Sequence, residues 1–263
     1  MTRRWPASGH GRLALAHATG FCKEVWAPVV TELRAAGEER SIIAWDAPGH
    51  GDAEPLSSFP VDWWDFARHG LEVISGITEP VVGVGHSMGG AALAMAELLA
   101  PGRFAGLVLI EPVIFPLAVG RRELSLLVQG ALRRRDGFKS IDAAVEHYRR
   151  PFASWDRRAL EAYVRGGLVE RDGVWRLKCR PEVEAEVYRG GITHGAYLRL
   201  GELDLPVLVL AGERSAAFTA DYIAEFTALI PNARFEILPN ASHFAPMERP
   251  DLVAAQIVSF VAP

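Results

Sequence analysis

A chain of 263 residues, 49% apolar and 23% charged, is long enough to bury one large core and has an ordinary globular composition. Its formal charge of −4 gives no general basic field, so nucleic acid is not an expected partner. No apolar run is long enough to cross a membrane, and no apolar stretch follows Arg3-Arg4 to make a signal peptide. Two cysteines, Cys22 and Cys179, are too few for a disulfide framework or a zinc site. Reduced thiols in a cytoplasmic protein are expected, with Cys22 a small buried hydrophobe.

In chain order, Leu13 to Ala16 reads as a strand and Trp26 to Ala36 as a helix ended by Gly37. Ser41 to Trp45 is a second strand, followed by the turn Asp46-Ala47-Pro48-Gly49-His50-Gly51, and Trp63 to Ile74 carries apolar residues at helical spacing. A strand from Val81, a helix from Ala91 to Leu99 and a strand from Leu107 to Ile110 follow. Strands alternating with helices predict an α/β doubly wound, mostly parallel sheet covered on both faces.

The alternation stops after Glu111-Pro112. Residues 116–203 show no strong strand and read as an inserted helical cap over the carboxyl ends of the strands, where open parallel sheets bind ligands. Within it, Arg121-Arg122 and Arg133-Arg134-Arg135 read as solvated helix faces. Phe152, Trp155, Trp175, Tyr188 and Tyr197 either line an apolar pocket or pack the cap on the core. The alternation then resumes with a strand over Pro206 to Gly212, a helix from about Asp221 to Ile230, a strand over Arg234 to Leu238 and a last helix from about Asp251. The expected division is a core of 1–115 and 204–263, interrupted by the cap.

The run Val81-Val82-Gly83-Val84-Gly85-His86-Ser87-Met88-Gly89-Gly90 sets G-x-S-x-G between a strand and a helix. A strand-to-helix turn this tight requires glycine on either side and holds the Ser87 hydroxyl at a helix N-terminus, where developing negative charge is favoured. Ser87 is therefore the candidate nucleophile. It needs a base within hydrogen-bond reach, and His243, in the loop Ser242-His243-Phe244 after the last strand, is the candidate. His10, His69, His147 and His194 have no supporting context. His50 is read as shaping the floor of the site, and His86 as a packing or hydrogen-bonding residue.

Four pieces in this order and spacing, His17-Ala18-Thr19-Gly20-Phe21, Asp46 to Gly51, Gly85 to Gly90 and Ser242-His243-Phe244, make the chain resemble the α/β-hydrolase fold superfamily over almost its whole length. The resemblance implies a Ser-His-acid triad and an oxyanion hole beneath a helical cap, with no cofactor or metal. It implies the backbone N–H of Met88 as one hole donor, and as the other that of Thr19 first or Phe21 second. It also places the acid after the Val207–Leu210 strand, as Gly-x-x-Asp. Here that stretch reads Gly212-Glu213-Arg214-Ser215, and a serine carries no charge to stabilise an imidazolium. Glu111, at the end of the preceding strand, is an acid position used by some members of the superfamily and is favoured. Glu213 is the alternative, and Asp221 is expected to cap its helix.

The expected reaction is cleavage of a small carboxylic ester, lactone or related acyl substrate through an acyl-enzyme on Ser87. Carbon–carbon bond hydrolysis of ring-cleavage diketones uses the same constellation, and a slow or non-catalytic ligand-binding protein is the rival from another class. The sequence carries no signal for oligomeric state.

Overall fold

The computed structural model describes residues 1–56, 59–116 and 121–262, the side chains of residues 121–124 excepted. A seven-stranded sheet runs through the molecule, built from β1 (Thr2–Trp5), β2 (Gly9–Ala16), β3 (Arg40–Trp45), β4 (Val81–His86), β5 (Phe104–Ile110), β8 (Val207–Gly212) and β9 (Ala233–Leu238). The spatial order is β1-β3-β2-β4-β5-β8-β9; β1 pairs antiparallel with β3 and every other pair is parallel.

Side chains alternate between the two faces of this sheet. Leu13, Leu15, Val108, Ile110, Leu208 and Leu210 pack beneath α1 (Ala27–Ala35) and α10 (Pro250–Val261). Their neighbours Ala14, Ala16, Leu107, Leu109, Val207 and Val209 pack beneath α2 (Trp63–Ile74), α3 (Met88–Leu99) and α8 (Ala220–Ala228). Both faces are thus dry, which explains why these strands read as unbroken apolar runs rather than as alternating ones.

Between β5 and β8 the chain leaves the sheet to form α4 (Arg121–Leu132), α5 (Ile141–Arg149), α6 (Arg157–Gly167), the hairpin β6 (Leu168–Arg171) and β7 (Val174–Leu177), α7 (Pro181–Gly190) and a 3-10 turn over Ala196–Glu202. It returns to the core through β8, and α9 (Ala245–Glu248) precedes α10.

Three features differ from the sequence reading. β1 is an added antiparallel edge strand, too short and polar to show a pattern. The β6–β7 hairpin lies in the segment read as wholly helical; its two-residue turn is Asp172-Gly173, both at positive φ, a type I′ signal that the sequence carried. The three arginines 133–135 lie beyond the end of α4, and Arg134 is no solvated side chain: it pairs with Glu184 and bonds the Tyr148 and Tyr163 hydroxyls inside the inserted segment. The side chains of Arg121 and Arg122 lie outside the described residues.

Candidate active site

β4 delivers Ser87 to the carboxyl edge of the sheet, and the turn there is sterically forced. A Cβ on Gly85 would sit 2.5 Å from the Gly89 carbonyl oxygen, and one on Gly89 only 2.2 Å from that of Ala16, so neither position tolerates a side chain. Ser87 itself holds φ 55° and ψ −114°, an unusual conformation for an L-residue, at the N-cap of α3. Its N–H donates to the Ile110 carbonyl at 2.9 Å and its carbonyl accepts from Val113, which ties the elbow to the end of β5. Met88 occupies the first position of α3, among the N–H groups that a helix cannot satisfy internally.

Ser87, His243 and Glu111 come together in one hydrogen-bonded line. His243 Nδ1 lies 2.7 Å from Glu111 Oε2, and its Nε2 lies 3.2 Å from Ser87 Oγ. A carboxylate only accepts, so Nδ1 carries the proton and the Nε2 lone pair faces the serine hydroxyl. Glu111 is fully buried, Ser87 is 6% exposed, and the His243 side chain, at 33%, is the part open to solvent. The Glu111 carboxylate also accepts from Gly212 N–H at 2.9 Å and from the Ser215 hydroxyl at 2.8 Å.

The other two acids are elsewhere. Glu213 is exposed and accepts from Asn240 N–H at 2.8 Å. Asp221 lies in the first turn of α8 without capping it, because Thr219 is the N-cap and accepts from Tyr222 N–H. Of the two loop residues expected as hole donors, Phe21 N–H is directed at the Ala18 carbonyl, 3.2 Å away, while Thr19 is buried in the same loop.

Further contacts hold these groups in place. His86 is buried beside the nucleophile, and its Nε2–H donates to the His243 backbone carbonyl at 2.7 Å. Burial, then the neighbouring His243, push its pKa well below the usual histidine value, so it stays a neutral donor. The Glu248 carboxylate accepts from Ser242 N–H at 2.6 Å and from the Ser154 hydroxyl at 2.5 Å, joining the base loop to the inserted segment. On the other flank of His243, Phe244 packs with Phe21, Phe152 and Trp155, the last two stacked 4.0 Å apart. Of the other aromatic residues in the inserted segment, Trp175 is in the hairpin and Tyr197 packs toward the α3 and α8 side.

A second buried network joins the loops after β2 and β3. His17 donates from Nδ1 to the Ala18 carbonyl at 2.8 Å and accepts Ala47 N–H at Nε2 at 3.0 Å, which pins the loop after β2 to the loop after β3. Lys23 does the same with charge, placing Nζ 2.7 Å from Asp46 and 2.8 Å from Asp52. Burial opposes this ammonium, but its carboxylate partners outweigh that and raise its pKa. His50 donates to the Pro48 carbonyl at 3.0 Å, and burial, with His17 nearby, lowers its pKa to about 4.

A sequence model described as the alpha/beta hydrolase family matches residues 13–256. The chain belongs to this family. Among its relatives, an abhydrolase domain-containing protein of Alternaria alternata is 27% identical over 221 residues, covering 70% of this chain and 83% of that protein. A pimeloyl acyl-carrier-protein methyl ester esterase of Serratia marcescens is 25% identical over 268 residues, covering 98% of this chain and 97% of the esterase. The solved structure of E-2-(acetamidomethylene)succinate hydrolase superposes with a TM-score of 0.86 at 21% identity, covering 99% of this chain and 94% of that one. This alpha/beta hydrolase has no helix among its described residues long and apolar enough to cross a membrane.

Proposed function

We propose that the protein is a serine hydrolase that cleaves a small carboxylic ester, lactone or related acyl compound. The observation that carries this reading is the line Ser87 Oγ, His243 Nε2, His243 Nδ1, Glu111 Oε2, in which every proton has a defined place. Ser87 Oγ attacks the acyl carbonyl while its proton moves to His243 Nε2. The new imidazolium donates from Nδ1 to the Glu111 carboxylate, and the oxyanion is held by the N–H of Met88, at the α3 N-terminus, and that of Thr19, in the loop after β2. Collapse breaks the bond to the leaving oxygen, which takes the proton from Nε2. A water then loses a proton to His243 Nε2 and attacks the acyl carbonyl, and collapse breaks the acyl–Oγ bond as Ser87 Oγ takes that proton back, releasing the acid and free Ser87.

The similarity to the Serratia marcescens methyl ester esterase favours ester cleavage for this chain too. The serine at position 215 favours the ligand-binding rival, and the Glu111 carboxylate beside His243, just past the end of β5, favours a working triad. The free, buried thiols of Cys22 and Cys179 support a reducing, cytoplasmic setting. The test is hydrolysis of aryl esters of graded acyl length by wild type and Ser87→Ala. Wild type should turn over at least one of them with an initial burst of aryl alcohol, and Ser87→Ala should lose both burst and turnover. Equal activity in Ser87→Ala would overturn the proposal.

A further inference from the structure

Ser215 stands where relatives in this superfamily carry the acid, yet its hydroxyl is not idle. Its Oγ accepts the Phe218 N–H at 3.1 Å, so its single proton is turned the other way, toward Glu111 Oε2 at 2.8 Å. That oxygen is the one that receives His243 Nδ1–H. The same turn also supplies the donor to the other oxygen: Ser215 N–H bonds the Gly212 carbonyl at 2.9 Å, and Gly212 N–H bonds Glu111 Oε1 at 2.9 Å. One turn at the end of β8 therefore clamps both oxygens of an acid that directly follows β5. A glutamate side chain has three free torsions, and Glu111 springs from a backbone at φ 46°, so its carboxylate needs such a clamp to face His243.

We infer that Ser215 is a positioning residue for the triad acid, its hydroxyl holding Glu111 Oε2 toward His243 Nδ1–H. The inference rests on the serine-hydrolase reading for its kinetic consequences.

The experiment compares Ser215→Ala, Ser215→Thr and Glu111→Gln, by steady-state kinetics and by the low-field proton NMR signal of His243 Nδ1–H. Ser215→Ala should lower kcat about tenfold with KM unchanged, the scale of one hydrogen bond to a buried charge, and Ser215→Thr should recover most of it. The Nδ1–H signal should weaken in Ser215→Ala, return in Ser215→Thr and vanish in Glu111→Gln. Wild-type kinetics and signal in Ser215→Ala would overturn the inference. The NMR arm needs no turnover: a wild type that hydrolyses no ester would overturn the serine-hydrolase reading, while the signal would still decide the role of Ser215.

Discussion

Glu111→Gln removes one charge from a fully buried site while keeping the side chain's size and shape. In the wild type that charge sits behind His243, with Oε2 2.7 Å from Nδ1. Taking carboxylate and imidazolium as charges roughly 4 Å apart, in the effective dielectric of about 20 that suits such sites, the attraction is about 4 kcal/mol. Most of it is absent before proton transfer, so its loss falls on the barrier, and about 4 kcal/mol corresponds to a drop in kcat of about a thousandfold. The amide can also present N–H to Nδ1 and favour the wrong tautomer, which acts in the same direction. Glu213→Gln, at an exposed carboxylate bonded only to Asn240 N–H, should change kcat less than about twofold. Both variants should be assayed on the best aryl ester, with circular dichroism melts to establish that each is folded. A kcat for Glu111→Gln within about tenfold of wild type, or a greater loss in Glu213→Gln, would refute the assignment of the acid.

His86→Phe keeps a buried ring but leaves the His243 carbonyl without its donor; kcat should fall by about tenfold at unchanged KM, and an unaltered kcat would dismiss His86 as a strap on the base. Arg134→Met strands Glu184 inside the inserted segment and should cost about 3–5 kcal/mol in urea denaturation, whereas Arg134→Met/Glu184→Leu should cost much less. Equal losses in the two would show that charge pairing is not what matters there. Neutral His50, with its pKa near 4 against about 6.5 unfolded, contributes stability that is fully present above about pH 6.5. That stability is lost as pH falls toward 4, by about 3 kcal/mol, because the unfolded chain takes up the proton first. His17 and His86, whose pKa values burial also lowers, act in the same direction. A urea midpoint unchanged between pH 7.5 and pH 4.5 would contradict this.

The parallel sheet was legible because its strands are apolar on both faces and its helices carry their own periodicity. Trp63 to Ile74 forms a helix over the residues that the spacing picked out. β1 escaped notice because four residues of an exposed edge strand bury too little to leave a pattern, and only pairing with β3 makes it a strand. The hairpin at Asp172-Gly173 was signalled by turn chemistry that the surrounding helical composition obscured. Arg134 was misread because adjacent arginines suggest solvent, and nothing local reveals a glutamate and two tyrosines arriving from other elements. At the site, Ser87 and His243 carry motif-level signals, while Glu111 could only be ranked among rivals, since which acid meets His243 depends on how two neighbouring strands end. His86, Glu248 and Ser215 act through bonds spanning 157, 6 and 104 residues. His86 is legible as a packing or hydrogen-bonding residue from its place beside Ser87, and Ser215 leaves a trace as the residue that breaks the expected pattern.

The central claim, that Ser87 is a nucleophile activated by His243, is tested most directly by treating the folded protein with a fluorophosphonate and locating the adduct by mass spectrometry. The account predicts one adduct, on Ser87, formed rapidly in wild type, slowly in His243→Ala and not at all in Ser87→Ala. No adduct on folded wild-type protein, or an adduct on another residue that persists in Ser87→Ala, would contradict it.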